Sequence, residues 1–184
     1  MNILILSDQE SKLLYEYYDP ERIKDIDLII SCGDLPPEYL TFFASVCHAP
    51  LAYVRGNHDS KYAYKPPEGC ICLEDDIYVY KGVRLLGLGG SMEYIPGSDN
   101  QYTERRARIR RLRWKLWRHK GFDILVTHAP AFGLNDMEDL PHQGFKAFLA
   151  LMDKYHPKYF FHGHVHANYG SNFKRKDTYG TTTV

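Results

Sequence analysis

The sequence predicts a mixed-sheet α/β protein with its helices packed outside, and three observations lead there. Short apolar runs alternate with helical spacing over residues 2–54, a β-rich block without a helix spans about 70–88, and helices and strands alternate again beyond residue 101. No internal repeat, low-complexity tract or linker divides the chain, so residues 1–184 read as a single domain, long enough to bury roughly 70% of its unfolded surface.

Asn2 to Leu6 reads as a buried first strand that ends in Ser7-Asp8-Gln9-Glu10. Ser11 to Lys24 has helical spacing interrupted by Pro20, and Asp27 to Ser31 gives a second strand ending in Cys32-Gly33-Asp34. After Pro36-Pro37, Glu38 to Cys47 reads as a helix, and Leu51 to Val54 as a third strand ending in Arg55-Gly56-Asn57-His58-Asp59. Cys70 to Leu73, Ile77 to Tyr80 and Val83 to Leu88 read as a meander or hairpin pair before Gly89-Gly90-Ser91. Tyr102 to Lys120 reads as a helix with Ile109, Leu112, Leu116 and Trp117 near one stripe. A strand from Asp123 to Val126 leads into Thr127-His128. A helix over about Phe145 to Tyr155 precedes the strand Lys158 to Phe161 and Gly163-His164-Val165-His166. Short strands at about Tyr169 to Phe173 and Thr178 to Val184 close the chain.

Composition narrows the class. The chain is 44% apolar, 25% charged and 14% aromatic, which argues against long disordered segments. Cys32, Cys47, Cys70 and Cys72 contain no CxxC pair and read as reduced thiols rather than a disulfide framework. The start lacks a basic region and a long apolar run, and no stretch approaches the roughly 18 apolar residues of a membrane span. A cytoplasmic location with no membrane contact is the expectation. The formal net charge of zero conceals a segregation: residues 101–120 hold nine Lys or Arg against one acid, Glu104.

Five polar clusters follow strand ends: Asp8 with Glu10, Asp34, Asn57 with His58, His128, and His164 with His166. In open α/β layers, sites collect beyond the carboxyl ends of strands. Carboxylates, an amide and imidazoles together suit borderline or hard divalent metals. Taken in order, Asp8-x-Glu10, Gly33-Asp34, Gly56-Asn57-His58-Asp59, Thr127-His128 and Gly163-His164-x-His166 resemble the motif set of the calcineurin-like metallophosphoesterases, over about residues 2–184. The resemblance implies a four-layer α/β/β/α sandwich of two mixed β-sheets flanked by helices. It also implies two divalent ions, manganese or iron(II) first, with zinc, nickel or magnesium as alternatives. By analogy Asp8, Glu10, Asp34 and His166 hold one metal, Asp34, Asn57, His128 and His164 the other, and Asp34 bridges them. The implied chemistry is hydrolysis of a phosphodiester, or a phosphomonoester, in a small phosphate-ester substrate, by a metal-bridging hydroxide. His58 would donate a proton to the leaving group or stabilise transition-state charge. Asp59 would either orient His58 or cap the turn that follows.

The chain departs from the family pattern in two informative places. Glu10 stands where the family usually has His, so it either ligates and adds negative charge to the first site or points away. Gly33-Asp34-Leu35-Pro36-Pro37 lacks the Asp-Arg-Gly of the protein Ser/Thr phosphatases, and the motif ends in Asp59 rather than Glu; the bacterial phosphodiesterase-like branch is the nearer match. Arg55 and Tyr94 are candidate substrate contacts by loop position alone. His162 reads as a core or second-layer histidine, and His48, His119, His142 and His156 as surface or helix-end residues. Residues 105–120 are either a solvated basic face or a nucleic-acid contact, as in a nuclease; Trp114 and Trp117 permit stacking but at helical spacing suit core contacts. A catalytically weak scaffold binding a protein partner is the non-enzymatic alternative, and the oligomeric state is left open.

Overall fold

A computed structural model describes residues 1–103, 109, 112–166 and 174–184. The strands β1 (Ile3–Leu6), β2 (Leu28–Ser31), β3 (Leu51–Tyr53) and β4 (Ile71–Cys72) form one sheet in that order. Next come β5 (Asp76–Tyr80), β6 (Val83–Leu88), the small pair β7 (Ser91–Met92) and β8 (Gln101–Tyr102), β9 (Ile124–Thr127), β10 (Tyr159–Phe161), β11 (Thr178–Tyr179) and β12 (Thr182–Thr183). The second sheet has the order β11-β12-β10-β9-β6-β5. Helices are α1 (Pro37–Val46), α2 (Arg113–Arg118) and α3 (Lys146–Tyr155).

The period-2 alternation of strand side chains makes the layers. In the first sheet Leu4, Ile29 and Leu51 sit side by side and face α1 through Tyr39, Leu40 and Phe43. Their neighbours Leu28 and Ile30 point the other way, onto Leu85, Ile124 and Val126 of the second sheet. Leu86, Leu125 and Phe160, adjacent in register, turn outward under Leu112 and Leu116 of α2 and Phe148, Leu151 and Met152 of α3. The order is therefore helix, sheet, sheet, helices. Each fully buried Leu or Ile removes apolar surface worth roughly 1.5–3 kcal/mol.

Local chemistry sets the boundaries. Pro37 opens α1, where its missing N–H costs nothing, and α3 ends at His156 in the left-handed region (φ 47°) just before Pro157. Lys81 and Gly82, both at positive φ, turn the β5–β6 hairpin. Arg84 grips both carboxylate oxygens of Asp123 (Nε to Oδ2 2.8 Å, Nη2 to Oδ1 2.7 Å) and the carbonyls of His119 and Lys120, tying the end of α2 to the start of β9.

The structure corrects several expectations. The first sheet is parallel throughout, and only the second is mixed. Ser11 to Lys24 is no α-helix: turns lead to a 3-10 segment, Pro20–Arg22, capped by Asp19. Pro20 and the adjacent tyrosines disfavour helix. The apolar spacing serves packing instead, with the rings of Tyr15 and Tyr18 edge-on to Phe42 at 4.9 and 5.2 Å. Cys70 to Leu73 joins the first sheet as β4 beside β3, not the hairpin that follows. In the expected helix Tyr102 to Lys120, residues 104–108, 110 and 111 lie outside the described residues, Tyr102 belongs to β8, and among the described residues Ile109 and α2 (Arg113–Arg118) are helical. Leu112 and Leu116 are buried as the stripe requires, but Trp117 is 72% exposed and stacks on Trp114, itself 60% exposed. Tyr169 to Phe173 lies outside the described residues, and the closing segment is the hairpin β11–β12.

Candidate metal centre

Because β1, β2 and β3 run parallel in one sheet and β6, β9 and β10 in the other, their carboxyl ends emerge along common edges. Close approach of the loops there depends on two glycines. A Cβ on Gly56 would lie 1.9 Å from Oδ1 of Asp34, and one on Gly163 1.9 Å from Oγ of Ser7 and 2.4 Å from Oδ2 of Asp8. Three side-chain-bearing residues make this crossing with left-handed backbone: Asp8 (φ 61°), Asp34 (φ 56°) and His164 (φ 72°). All three are residues the sequence singles out, and strain of this kind clusters at functional sites.

At the centre, ligand atoms of Asp34, His128 and His164 all lie within 4.8 Å of one another. Nε2 of His128 is 3.3 Å from Oδ2 of Asp34, 2.9 Å from Oδ1 of Asn57 and 3.1 Å from Nδ1 of His164. The other nitrogens fix the tautomers. Nδ1 of His128 faces the Cys32 carbonyl at 2.8 Å and Nε2 of His164 faces the Pro141 carbonyl at 2.7 Å, so each must carry a proton and donate it. The inward nitrogens then present lone pairs to two oxygen acceptors and to each other. Four buried or nearly buried acceptors aimed at one point need a cation between them, a proton or a metal ion.

The protein's own titration reflects this. Burial opposes charge on His128, but the hydrogen bond and charge of Asp34 outweigh it and raise the imidazole to about 9. Burial, and then the neighbouring His128, push His164 down to about 4. Burial would raise Asp34, yet His128 and the His58 N–H hold it below the usual carboxylate range. Without metal, one proton on His128 occupies the place of a cation.

The flank around Asp8 is looser. Both oxygens of Asp8 accept from the His164 N–H, at 3.1 and 3.0 Å, and Oδ2 also accepts from the Ser7 hydroxyl at 2.5 Å. Nε2 of His166 stands 3.6 Å from Oδ1 of Asp8, with the Gln9 amide 3.5 Å from its other nitrogen. Glu10 is exposed, outside the three-residue group, and its charge acts on the Tyr39 phenol. Tyr94 stands beside the centre: Nδ2 of Asn57 donates to its hydroxyl at 3.3 Å, which turns the amide oxygen toward His128. His58 is exposed, while its N–H donates to Oδ1 of Asp34 at 2.9 Å. Arg55 serves through its backbone, donating to Glu74 and accepting from the Gly90 N–H, and its Nε is buried without a hydrogen bond. His162 is half-buried with its ring 5.2 Å from that of Phe160. Nothing in the sequence signals the Cys32 and Pro141 carbonyls, Gln9, or His142, whose ring lies 5.2 Å from that of His164 and whose Nδ1 meets Asp139.

Comparison with known proteins decides the family. The family model of the calcineurin-like phosphoesterases matches residues 3–168. The chain belongs to that family. No curated protein matches it significantly. Among solved structures, TT1561 of Thermus thermophilus is similar with a TM-score of 0.65, over 98% of this chain and 86% of that one, at 18% identity, a likeness that speaks to the fold. The family's chemistry is metal-dependent phosphoester hydrolysis, and the donor set of Asp34, Asn57, His128 and His164 fits a divalent ion.

In this phosphoesterase Asp59 does neither of the things its position suggests. Its Oδ2 accepts from the N–H of Asp34 at 2.8 Å and of Gly56 at 2.7 Å, so it staples the β2 loop to the β3 loop; among the described residues no hydrogen bond joins it to the His58 ring. Burial, with the Asp34 charge adding, raises its carboxyl to about 6 from the ordinary 3.8 despite those two hydrogen bonds. The folded state therefore binds the extra proton between those values, and metal-free stability falls as pH rises through that window. Asp59→Asn keeps an oxygen acceptor without the charge. In chelator-treated protein its urea midpoint should equal the native one below about pH 4 and match or exceed it at about pH 7.5. Asp59→Ala orphans two N–H groups and should lose about 2–4 kcal/mol at both pH values. Equal losses for the two variants at the higher pH would contradict the staple.

Proposed function

We propose that the chain is a dinuclear metal-dependent phosphoesterase acting on a phosphodiester, with His58 assisting departure of the leaving group. The observation that carries the reading is the convergence of His128, His164, Asp34 and Asn57 on one point, with the outer nitrogens of the two histidines tied to carbonyls. One ion would take these four, and a second would take Asp8, His166, the shared Asp34 and Glu10, once Glu10 turns inward. Manganese or iron(II) suits a carboxylate-rich set, with zinc, nickel and magnesium as alternatives. Bound there, the ions supply Lewis acidity for the phosphoryl oxygens and an acidified water.

The protein's own groups do the rest. The Cys32 and Pro141 carbonyls and the Tyr94 hydroxyl hold the ligands in orientation. His58, an exposed residue whose N–H is anchored to Asp34, would give a proton to the leaving oxygen. Tyr94, at the rim of the centre, is the better supported of the two candidate substrate contacts; Arg55 retains an unused Nε. A diester is the substrate class this reading adopts, and the paired-ester comparison below decides between it and a monoester.

Metal-stripped protein supplied with manganese, iron(II), nickel, zinc or magnesium should turn over a chromogenic diester faster than the matching monoester. His58→Ala should lose roughly 10²- to 10⁴-fold in kcat with its metal content retained. Metal-independent turnover, or an unimpaired variant, contradicts the assignment, and a monoester preference overturns the substrate class. Glu10→His should shift the order of metals; an unchanged order removes Glu10 from the ligand set.

A second reading, a nuclease, draws on α2. Its stacked, exposed Trp114 and Trp117 are flanked by Arg113 and Arg118 on the outer surface, a combination that stacks bases and neutralises phosphates. Affinity for a single-stranded oligonucleotide should fall steeply between about 50 and 200 mM salt and drop with Trp117→Ala; negligible binding at low salt dismisses this reading.

A further inference from the structure

We propose that the cavity beside Asp8 and His166 receives the organic arm of the substrate, and that this arm carries a second anionic group. The proposal rests on the phosphoesterase reading and names the class of ester. The cavity measures about 530 Å³ and shares Asp8 and His166 with the candidate centre. That volume lies within the roughly 300–1,000 Å³ of sites that hold whole small molecules, and a phosphoryl group alone leaves most of it empty.

Its walls sort a ligand by chemistry. Part of the lining is apolar, from Ile5, Phe161 and Val184. Ile5 is 41% exposed on β1, an edge strand, and Phe161 is half-buried with its ring stacked on Tyr159 at 5.7 Å. The sandwich therefore leaves an uncovered apolar surface directly beside the centre, able to take a ring or a short hydrocarbon body. The lining also carries Lys174 and Arg175, followed in the chain by Lys176. Lys174 and Arg175 are exposed and form no ion pair among the described residues. Two adjacent cations in the cavity wall, in no ion pair among the described residues, complement an anion from outside.

Position orders the ligand along the cavity. An anion beside Asp8 is repelled unless metal intervenes, so the scissile phosphate belongs at that end and the second anion at Lys174 and Arg175. The apolar body spans the interval. Such a substrate is a phosphodiester with a ring-bearing arm that ends in a phosphate or carboxylate.

The test compares two probes with one leaving group: thymidine 5′-(4-nitrophenyl phosphate) and the same ester with a 3′-phosphate. The native protein should favour the 3′-phosphorylated ester by about tenfold in kcat/KM, mainly through KM. The Lys174→Ala, Arg175→Ala double variant should reduce that preference to about one. In parallel, calorimetry should find thymidine 3′,5′-bisphosphate bound about tenfold tighter than thymidine 5′-monophosphate, with the difference lost in the same variant. Both residues are exposed, so the variant should fold. No preference in the native protein, or a preference the variant keeps, overturns the subsite. If neither ester is turned over while the binding difference is present and depends on the two cations, the phosphoesterase reading fails and the anion subsite stands.

Discussion

The structure depends on one buried imidazole whose two nitrogens face opposite ways. His128 is fully buried, and its Nδ1 proton is given to the Cys32 carbonyl at the end of β2. That single hydrogen bond joins the two sheets at their shared edge, since His128 leaves β9 and Cys32 leaves β2. It also forces Nε2 to be the nitrogen that meets Asp34, Asn57 and His164. The fold and the site are thus the same interaction seen from two sides. A neutral apolar residue there would remove both the cross-sheet hydrogen bond and the contacts to the candidate ligands.

Parallel strands make the convergence possible, and left-handed backbone completes it. The loops after β1, β2 and β10 must double back within a few residues, and they do so at Asp8, Asp34 and His164. An Asp or a His tolerates that conformation better than most residues, at a cost on the order of 1 kcal/mol or more each. The cost is offset by the core below, where three apolar layers pack against both faces of each sheet. Asp59 and Glu74 then tie neighbouring loops through backbone N–H groups, holding polar residues in place where no strand does so.

Much of this was legible in the residues, and the rest was not for physical reasons. Apolar runs ending in Asp34, Asn57 and His128 announced strands buried on both faces, which are apolar throughout, with candidate ligands at their ends, whereas β1, expected to be buried, is an edge strand that leaves Ile5 exposed. Helical spacing at Leu14, Tyr15 and Tyr18 misled, since the same spacing serves turns that lean on α1. Trp117 misled because periodicity cannot tell a buried aromatic from one stacked on a neighbour outside. Main-chain groups were invisible: nothing in the identity of Cys32 or Pro141 announces that its carbonyl orients a histidine. The role of Asp59 was equally hidden, as its two donors are backbone groups, one of them 25 residues away in sequence.

The inward lone pairs of His128 and His164 await a cation, and in the metal-free chain a proton fills the place. The most direct measurement is calorimetric titration of the metal-stripped protein with manganese at neutral pH, in buffers of different ionisation enthalpy, counting protons released per ion. With His128 raised to about 9, the ion that enters the cluster should release about one proton, an effect that fades above pH 9. Tight binding with no proton released at neutral pH, or no binding at all, would contradict this arrangement.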